Sequence, residues 1–275
     1  MLVLIAEYAF FPLPGKRDEL VDAVDALFAG LHQNGQIWGD HVAGWVEGAR
    51  RVTCRVPGCD SLDDRHASAI VRNALASVRA LCAEPPQWSV VDDRTGDPRS
   101  WRDEKSLFFF THVFEQTSPV CAGTDGDPIP LYLLPLSEET REQLFSWMKK
   151  YRMYDEVQLD CGPLEIDAYR QLADPHAELS QDGRELARDV ELAIGFPTYY
   201  YLMRYWGRPG EEDRPCPGCG GEWQTPVRDR STTGLGRFEF RCEPCRLVSH
   251  KASSLDEDSG HPEIGEWRGP ASHAS

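Results

Sequence analysis

The fold is decided by the stretch Ile37-Trp-Gly-Asp-His-Val-Ala-Gly-Trp-Val-Glu-Gly-Ala-Arg-Arg-Val-Thr-Cys-Arg-Val56. It contains two segments, 37–47 and 51–56, that are rich in β-branched and aromatic residues, which favour strands. Gly48-Ala49 lies between them and favours a tight turn, because glycine adopts turn conformations without steric cost. We therefore expect a β-hairpin here.

Strand and helix patterns continue on both sides of this hairpin. Before it, residues 2–10 form an apolar, β-prone run, and residues 18–32 place apolar side chains at the three- and four-residue spacing of an amphipathic helix. After it, residues 63–81 return to helical spacing and 88–91 are β-prone. The order βαββαβ predicts a ferredoxin-like module over residues 1–92.

A second, more helical α+β module is expected over residues 105–206. Strands are predicted at 107–114 and 131–134, with a Gly/Asp/Pro-rich loop from 118 to 130. Ser137 and Ser180 are each suited to cap the start of a helix, because a serine hydroxyl accepts a hydrogen bond from the free backbone N–H groups there. The second of these helices is expected to end at a glycine, residue 195.

An aromatic strand is predicted over residues 198–206, which include three consecutive tyrosines, 199–201. Aromatic strands usually fill protein interiors, so packing is the favoured interpretation and nucleobase stacking is the alternative. A linker follows at 207–215. The end of the chain, 253–275, is acidic and rich in small residues, which predicts a flexible tail.

Two cysteine pairs give the most specific chemical signal in the chain. Cys216-Pro-Gly-Cys219 and Cys242-Glu-Pro-Cys245 are separated by 22 residues. A two-residue gap lets one tight turn present two sulfurs to the same ion, and Zn²⁺ prefers four tetrahedral thiolate ligands. A redox dithiol is the less favoured alternative. The pairs predict one zinc ion in a zinc ribbon over 207–252.

Because cysteine occupies all four positions, the predicted site is closed, and its expected role is structural. Such a ribbon would display a mixture of arginines and aromatic side chains suited to phosphates or stacked bases. The alternative is that these are ordinary solvated hairpin residues. The candidate binding residues are Trp223, Arg228, Arg230, Arg237, Arg241, Arg246, His250 and Lys251.

Composition and charge limit the functions that can be considered. The 275 residues are 41% hydrophobic and 27% charged, which excludes a disordered or low-complexity chain. The net charge is −16, and an acidic body repels nucleic-acid phosphates. Only residues 204–251, with nine basic and seven acidic side chains, are net basic. Any nucleic-acid contact is therefore expected to be local to the ribbon.

Other candidate sites carry weaker signals. A second metal site could involve Cys54, Cys59, Cys121 or Cys161, but buried thiols are commoner. Asp125-Gly-Asp127 resembles a cation-binding turn and is equally typical of an ordinary turn. No nucleotide-binding loop, hydrolase elbow or metalloprotease motif is present. The sequence thus favours a protein without enzymatic activity.

The ribbon residues and several upstream segments resemble an uncharacterised bacterial family described as zinc-ribbon-containing and suggested to bind nucleic acid. The similarity covers roughly residues 105–250. Family members often carry another cysteine pair before the Pro-Leu-Tyr segment, whereas here Cys121 is followed by Ala-Gly-Thr124 without a partner. The segments that carry the resemblance are Cys216–Trp223, Phe238–Ser249, Ile129–Tyr132, Leu179–Arg184 and Pro197–Leu202.

Three functional hypotheses follow. The leading one is a binding protein without enzymatic activity whose zinc ribbon contacts nucleic acid. The first alternative is a protein adaptor, antitoxin-like or transcription-associated, in which the acidic body holds a basic partner. The second is an enzyme with a carboxylate site within 105–206, around Asp125, Asp127, Glu165 and Glu191. The absence of a secretory signal and of long apolar runs predicts a cytoplasmic protein that does not enter membranes.

Overall fold

The computed structural model describes residues 3–91, 96–254 and 260–269. The chain divides into two compact units. Of the helices in these described ranges, none combines the length and the apolar content that a bilayer crossing requires. Unit 1 comprises Met1–Trp101, Gln116–Ser118 and Pro128–Phe145, and unit 2 comprises Arg102–Glu115, Pro119–Asp127 and Ser146–Ser275.

Unit 1 contains a four-stranded sheet and two helices in the predicted order. Neighbouring strands are antiparallel and lie in the order β2-β3-β1-β4. This arrangement confirms the ferredoxin-like βαββαβ module. Its elements are β1 (Leu4–Phe10), α1 (Arg17–Asn34), β2 (Trp38–Val46), β3 (Ala49–Val56), α2 (Ala69–Leu81) and β4 (Gln87–Val90).

The core of unit 1 is formed by one face of the sheet and the apolar faces of α1 and α2. Burial alternates along β1, where Leu4, Ala6, Tyr8 and Phe10 are buried and the residues between them are half-buried. That alternation follows from the two-residue period of a strand. The sequence therefore places one face of β1 in the core.

The hairpin between β2 and β3 turns one residue earlier than the sequence predicts. Val46 pairs with Ala49, so the two turn residues are Glu47 and Gly48 rather than Gly48-Ala49. Both have positive φ, 50° and 83°. Positive φ at both positions is the requirement of a type I′ turn, whose twist matches that of the flanking strands.

In the 130–138 region, which lies in unit 1, the structure contradicts one prediction and confirms another. The predicted strand at 131–134 is instead a 3₁₀ helix, Leu131–Leu133, because Pro130 starts a turn in which its carbonyl accepts from the Leu133 N–H at 3.1 Å. The predicted helix cap is confirmed, since Ser137 Oγ accepts from the Thr140 N–H at 3.0 Å.

Unit 2 contains a five-stranded mixed sheet in the order β6-β5-β7-β9-β8. β5 and β9 each pair with β7 in parallel, and β6 and β8 are antiparallel strands at the two edges. Residues 105–206 and 207–252, predicted as separate modules, thus share one sheet. The elements are β5 (Leu107–Phe109), β6 (Val120–Ala122), α3 (Glu138–Leu159, whose residues up to Phe145 belong to unit 1), α4 (Glu165–Ala173), α5 (Glu178–Ile194), β7 (Thr198–Tyr201), β8 (Phe240–Cys242) and β9 (Leu247–Ser249).

Some boundaries in unit 2 differ from the predictions. Strand β6 lies within the stretch predicted as a loop. Helix α5 begins before Ser180, whose hydroxyl is buried and donates to the Gln171 carbonyl at 3.0 Å instead of capping a helix. Gly195 ends α5 in the left-handed conformation, as predicted. Tyr199, Tyr200 and Tyr201 are all buried, which confirms that the tyrosine strand packs internally.

The predicted tail is packed against unit 2 over residues 260–269. Ile264 is buried against Tyr169, Ala173 and Trp206. Arg204 Nη1 donates to the Ile264 carbonyl at 2.5 Å. This segment therefore differs from the flexible tail predicted for 253–275, whereas the rest of that prediction, at 255–259 and 270–275, lies outside the described residues.

Candidate metal centre

The first cysteine pair lies in a tight turn. The Cys216 N–H donates to the Gly221 carbonyl at 2.6 Å, and the Gly220 N–H donates to the Cys216 carbonyl at 2.8 Å. Gly220 has φ of 76°, a conformation that glycine adopts without cost. The Gly218 N–H points at Cys216 Sγ, 3.4 Å away. The turn thereby presents the sulfurs of Cys216 and Cys219 on one side.

The second pair lies in the connection between β8 and β9. Cys242 is the last residue of β8 and pairs with Leu247, the first residue of β9. Between them, the Arg246 N–H approaches the Glu243 carbonyl at 3.4 Å, and Arg246 has φ of 52°. Arg246 follows Cys245 as Gly220 follows Cys219, so both turns use a left-handed residue at the same position.

The four sulfurs form a single cluster. They all lie within 4.8 Å of one another, and the Sγ atoms of Cys219 and Cys242 are 3.6 Å apart. Four thiolates arranged tetrahedrally around an ion at a bond length near 2.3 Å have sulfur–sulfur distances of about 3.8 Å. Cys216 and Cys242 are buried, Cys245 is half-buried and Cys219 is exposed. The donor set and its spacing fit one tetrahedral metal ion.

Electrostatics in the cluster differ from one thiol to the next. Burial raises the pKa of the Cys216 thiol above its ordinary range, and it raises the pKa of Cys245 to about 12. At Cys219, burial is outweighed by the Gly221 N–H and the neighbouring thiols, which lower the pKa of that thiol.

Arg246 fixes the second turn to the rest of unit 2. Its guanidinium makes two hydrogen bonds to Glu191 on α5, at 2.9 and 3.3 Å, one to the Glu243 carboxylate at 3.1 Å and one to the Glu243 carbonyl at 2.9 Å. The Tyr199 hydroxyl donates to the same Glu243 carboxylate at 2.6 Å, and the guanidinium lies 5.7 Å from the Tyr199 ring centroid. These contacts hold the non-glycine residue in its left-handed conformation beside Cys245.

Two candidate binding residues, the buried Trp223 and the half-buried Arg237, pack against aromatic rings of unit 2. Trp223 is only 4% exposed and stacks on Phe240, with ring centroids 5.0 Å apart. Arg237 lies over Phe110, 4.3 Å from its ring centroid, and burial lowers the pKa of its guanidinium. These side chains contribute to packing in unit 2.

Most of the other candidate basic side chains are paired with acidic groups. Arg241 contacts Asp229 and Glu243, at 3.6 and 3.0 Å, and Lys251 is paired with Glu212. Arg246 is paired as described above. Arg230 donates to the Thr225 carbonyl at 3.3 Å. Arg228 is the most exposed of the group and has only a distant contact, 3.8 Å, with Asp229.

His250 is oriented by Tyr201, whose hydroxyl is 3.0 Å from His250 Nδ1. Burial lowers the pKa of this imidazole, which favours its neutral form. A neutral, half-buried histidine is a poor phosphate contact.

The structure does not gather the remaining candidates into a site. Among the described residues, the four-cysteine cluster is the single group of three or more metal-type ligands. Cys54 and Cys121 are buried, and burial raises the pKa of each thiol to about 12. The other two candidates, Cys59 and Cys161, are exposed.

The four candidate catalytic carboxylates do not form a cluster either. Asp125 Oδ1 accepts from the Asp127 N–H at 3.0 Å, which is the ordinary turn contact of an aspartate. Glu191 is held by Arg246. Glu165 lies at the start of α4. No three of these carboxylates, all within the described ranges, bring their oxygens to metal-binding distances.

Sequence reasoning did not find the residues that support the second turn. Glu191 lies 55 positions before its partner Arg246, and Tyr199 lies 44 positions before Glu243. Trp267, whose ring packs on Gly220, falls in the segment predicted as a tail. No local pattern signals these contacts, because each depends on the tertiary arrangement of unit 2.

The fold and the cluster define a class: a mixed α+β protein with a four-cysteine candidate metal centre near its C-terminus. Family models match three consecutive parts of the chain, each described as a domain of unknown function. They are DUF8589 over residues 5–92, DUF2310 over 102–203 and DUF8594 over 208–255.

Two relatives are uncharacterized proteins of Haemophilus influenzae. One is 30% identical over 238 residues, which cover 82% of this chain and 89% of the relative. The other is 34% identical over 147 residues, or 52% of this chain and 70% of the relative. The chain belongs to this family of uncharacterised bacterial proteins.

Solved structures resemble about a third of the chain. The structure of Rv0793 from Mycobacterium tuberculosis is 18% identical, with a TM-score of 0.29, and covers 34% of this chain and 98% of that one. A crystal structure of an antibiotic biosynthesis monooxygenase is 12% identical, with a TM-score of 0.29, and the match covers 34% of this chain and 99% of that one. A dimeric ferredoxin-like protein from Jannaschia is 14% identical, with a TM-score of 0.28 and shares of 33% and 99%.

Proposed function

We propose that this chain is a binding protein without enzymatic activity in which Cys216, Cys219, Cys242 and Cys245 hold one structural zinc ion. The observation that carries the proposal is the mutual proximity of the four sulfurs, all within 4.8 Å. Four thiolates suit zinc best among the common structural ions, and a closed tetrahedral set leaves no position for a reacting water. In this proposal residues 207–252 form a zinc ribbon.

Zinc would stabilise a segment with little regular structure of its own. Strands β8 and β9 have three residues each, and the rest of the segment consists of turns and short 3₁₀ helices. Such short elements gain stability when one ion joins their two turns. The ion would cross-link the two cysteine turns, while backbone hydrogen bonds from β9 connect the segment to β7.

A protein is the partner class that the surface of the segment supports best. A phosphate backbone is bound by cations that can release counterions, but Arg241, Arg246 and Lys251 are already paired with carboxylates. Trp223 is buried, and Arg237 is half-buried against the ring of Phe110. The acidic body, with a net charge of −16, complements a basic protein surface.

The zinc assignment is tested by the metal content of the purified protein. We expect one equivalent of zinc in the wild type, measured by elemental mass spectrometry, and loss of most of it in Cys242→Ser. Cys59→Ser, which changes an exposed cysteine of unit 1, serves as the control and should retain the metal. Full zinc occupancy in Cys242→Ser would refute the ligand assignment.

The partner class is tested by fluorescence anisotropy of the zinc-loaded protein with single-stranded DNA, duplex DNA and structured RNA at two salt concentrations. We expect no salt-sensitive binding. Binding that weakens with salt and disappears in the double variant Arg228→Glu, Arg230→Glu would establish nucleic acid as the partner instead, because these are the candidate arginines without a strong ion pair.

A further inference from the structure

A cavity of about 590 Å³ lies within unit 2, between one face of α5, the start of β7 and the second cysteine turn. We refer to it as the α5 cavity. Arg184, Arg188 and Glu191 lie at three- and four-residue spacing on α5, so they share one face of the helix and all line this space. Thr198, Glu243 and Arg246 are further polar residues of the wall.

The lining of the cavity is net positive, with three arginines and two glutamates. Glu191 and Glu243 also line it, and both are engaged by Arg246. The Arg246 guanidinium and the Thr198 N–H lower the pKa of Glu191 against the opposing effect of burial, so that carboxyl stays ionised. Arg184 donates to the Pro175 carbonyl at 3.2 Å, and neither it nor Arg188 has an ion pair among the described residues. Arg188 acts on Glu191 only through its charge, and Arg184 uses one N–H for the Pro175 carbonyl, so both guanidinium groups keep donors for a ligand.

A buried hydroxyl in the wall lacks a hydrogen-bond partner. Thr198 is 1% exposed, and its Oγ1 makes no hydrogen bond within the described part of the chain. Its backbone N–H, in contrast, donates to Glu191 at 3.0 Å. An unpaired buried hydroxyl is unfavourable, so a ligand group that accepts or donates there would supply the missing hydrogen bond.

We propose that the α5 cavity binds a small organic molecule through its phosphate monoester group. The guanidinium groups of Arg184 and Arg188 supply planar, bidentate donors, and the Thr198 hydroxyl supplies a third donor. A phosphate monoester has three terminal oxygens to match three donor groups, whereas a carboxylate has two. The proposal is independent of the identity of the metal and of the protein partner.

The size of the cavity indicates that the ligand is larger than an inorganic ion. Pockets for small molecules occupy roughly 300–1,000 Å³, and this cavity falls in that range. The aliphatic part of its wall, from Ala187 and Pro244, offers a surface to the organic part of the ligand. We therefore expect a phosphorylated metabolite to bind more tightly than phosphate alone.

The test is isothermal titration calorimetry of the full-length, metal-loaded protein with ribose 5-phosphate, inorganic phosphate and succinate. We expect saturable binding of ribose 5-phosphate, weaker binding of phosphate and the weakest binding of succinate. Arg188→Gln, which changes an exposed side chain and should fold normally, is expected to weaken the phosphate probes by about tenfold. Arg184→Gln should have a similar effect, and Thr198→Val a smaller one.

Arg170→Gln is the matched control, because this arginine lies on α4 in a surface pair with Asp167 and does not line the cavity. It should bind like the wild type. The proposal is overturned if neither phosphate probe binds up to about 10 mM, which corresponds to a negligible affinity. It is also overturned if succinate binds best, or if Arg188→Gln and Arg184→Gln bind like the control.

Discussion

Single residues at the two cysteine turns determine how the sulfurs are presented. Gly220 and Arg246 both have positive φ directly after the second cysteine of their pair. Glycine adopts this conformation freely, whereas a residue with a Cβ is strained there by roughly 1–2 kcal/mol. The first turn thus avoids this strain because its residue is a glycine. In the second turn, ion pairs to Glu191 and Glu243 hold Arg246 in the strained conformation.

Gly220→Ala should destabilise unit 2 by about 2–4 kcal/mol, because it combines left-handed strain with a steric clash. A Cβ at this position would lie 2.6 Å from the Trp267 ring. Gly210→Ala is the control, since Gly210 has φ of 62° but open space around it, and should cost about 1 kcal/mol. Urea unfolding followed by tryptophan fluorescence measures the difference, and equal losses would show that Trp267 does not pack there.

Glu191→Gln should lower the free energy of unfolding by about 1 kcal/mol at pH 7, because it weakens a partly exposed bidentate pair with Arg246. The folded-state pKa of Glu191 lies below its ordinary value of 4.5. Its stabilising effect is therefore present above that value and is lost as the pH falls through the lower, folded-state pKa. Denaturation of both proteins across the acidic range measures this.

The control for that experiment is Glu185→Gln, which changes an exposed carboxyl on the same helix and should leave stability unchanged at every pH. A difference between wild type and Glu191→Gln that persists in strong acid would contradict the role of the ionised carboxyl.

At the scale of elements, the hairpin of unit 1 shows how far local sequence determines structure. Its strands were predictable from β-propensity, but the turn lies at Glu47-Gly48, one residue earlier than composition indicates. The alternating core positions of β1 and β3 set the register, and a one-residue shift would move their side chains to the opposite face. The turn therefore adopts the conformation that the register requires, even though Glu47 has to take positive φ.

Glu47→Asn should raise the free energy of unfolding by about 0.5 kcal/mol, because asparagine is favoured at the first position of a type I′ turn. Glu47→Val should lower it, since a β-branched residue is poorly tolerated at positive φ. Thermal unfolding of the two variants and the wild type measures the order of their stabilities. The reverse order would mean that the turn has another conformation in solution.

Helices and strands were predictable where hydrophobic residues recur with a clear helical or strand period, and less predictable elsewhere. The βαββαβ order of unit 1 was predictable from the spacing of its hydrophobic residues. The four-cysteine cluster was predictable from the spacing of the cysteines. The strand Val120–Ala122 was missed because three residues carry too little pattern. Residues 131–133 are apolar enough for a strand, yet Pro130 turns them into a 3₁₀ helix. The contact between Arg246 and Glu191 could not be predicted, because these residues are 55 positions apart in sequence.

At the scale of the whole molecule, the two units should respond differently to metal removal. The four clustered cysteines lie in unit 2, while the sheet of unit 1 packs against a hydrophobic core of its own. Chelation should increase hydrogen exchange by at least about tenfold in β8 and β9, because the segment loses its cross-link. Exchange in β1 and β3 should not change. Mass-spectrometric hydrogen exchange with and without chelator measures both, and equal effects in the two units would contradict this separation.

The sheet order in unit 2 has a consequence for the fate of damaged protein. Strands β8 and β9 cover one side of β7, a strand of three buried tyrosines. Oxidation of the cysteines, or loss of the ion proposed to join them, would loosen this cover and leave the backbone of β7 unpaired on that side. An exposed aromatic strand edge can pair with a strand of another chain. The four cysteines would therefore also protect the protein against aggregation.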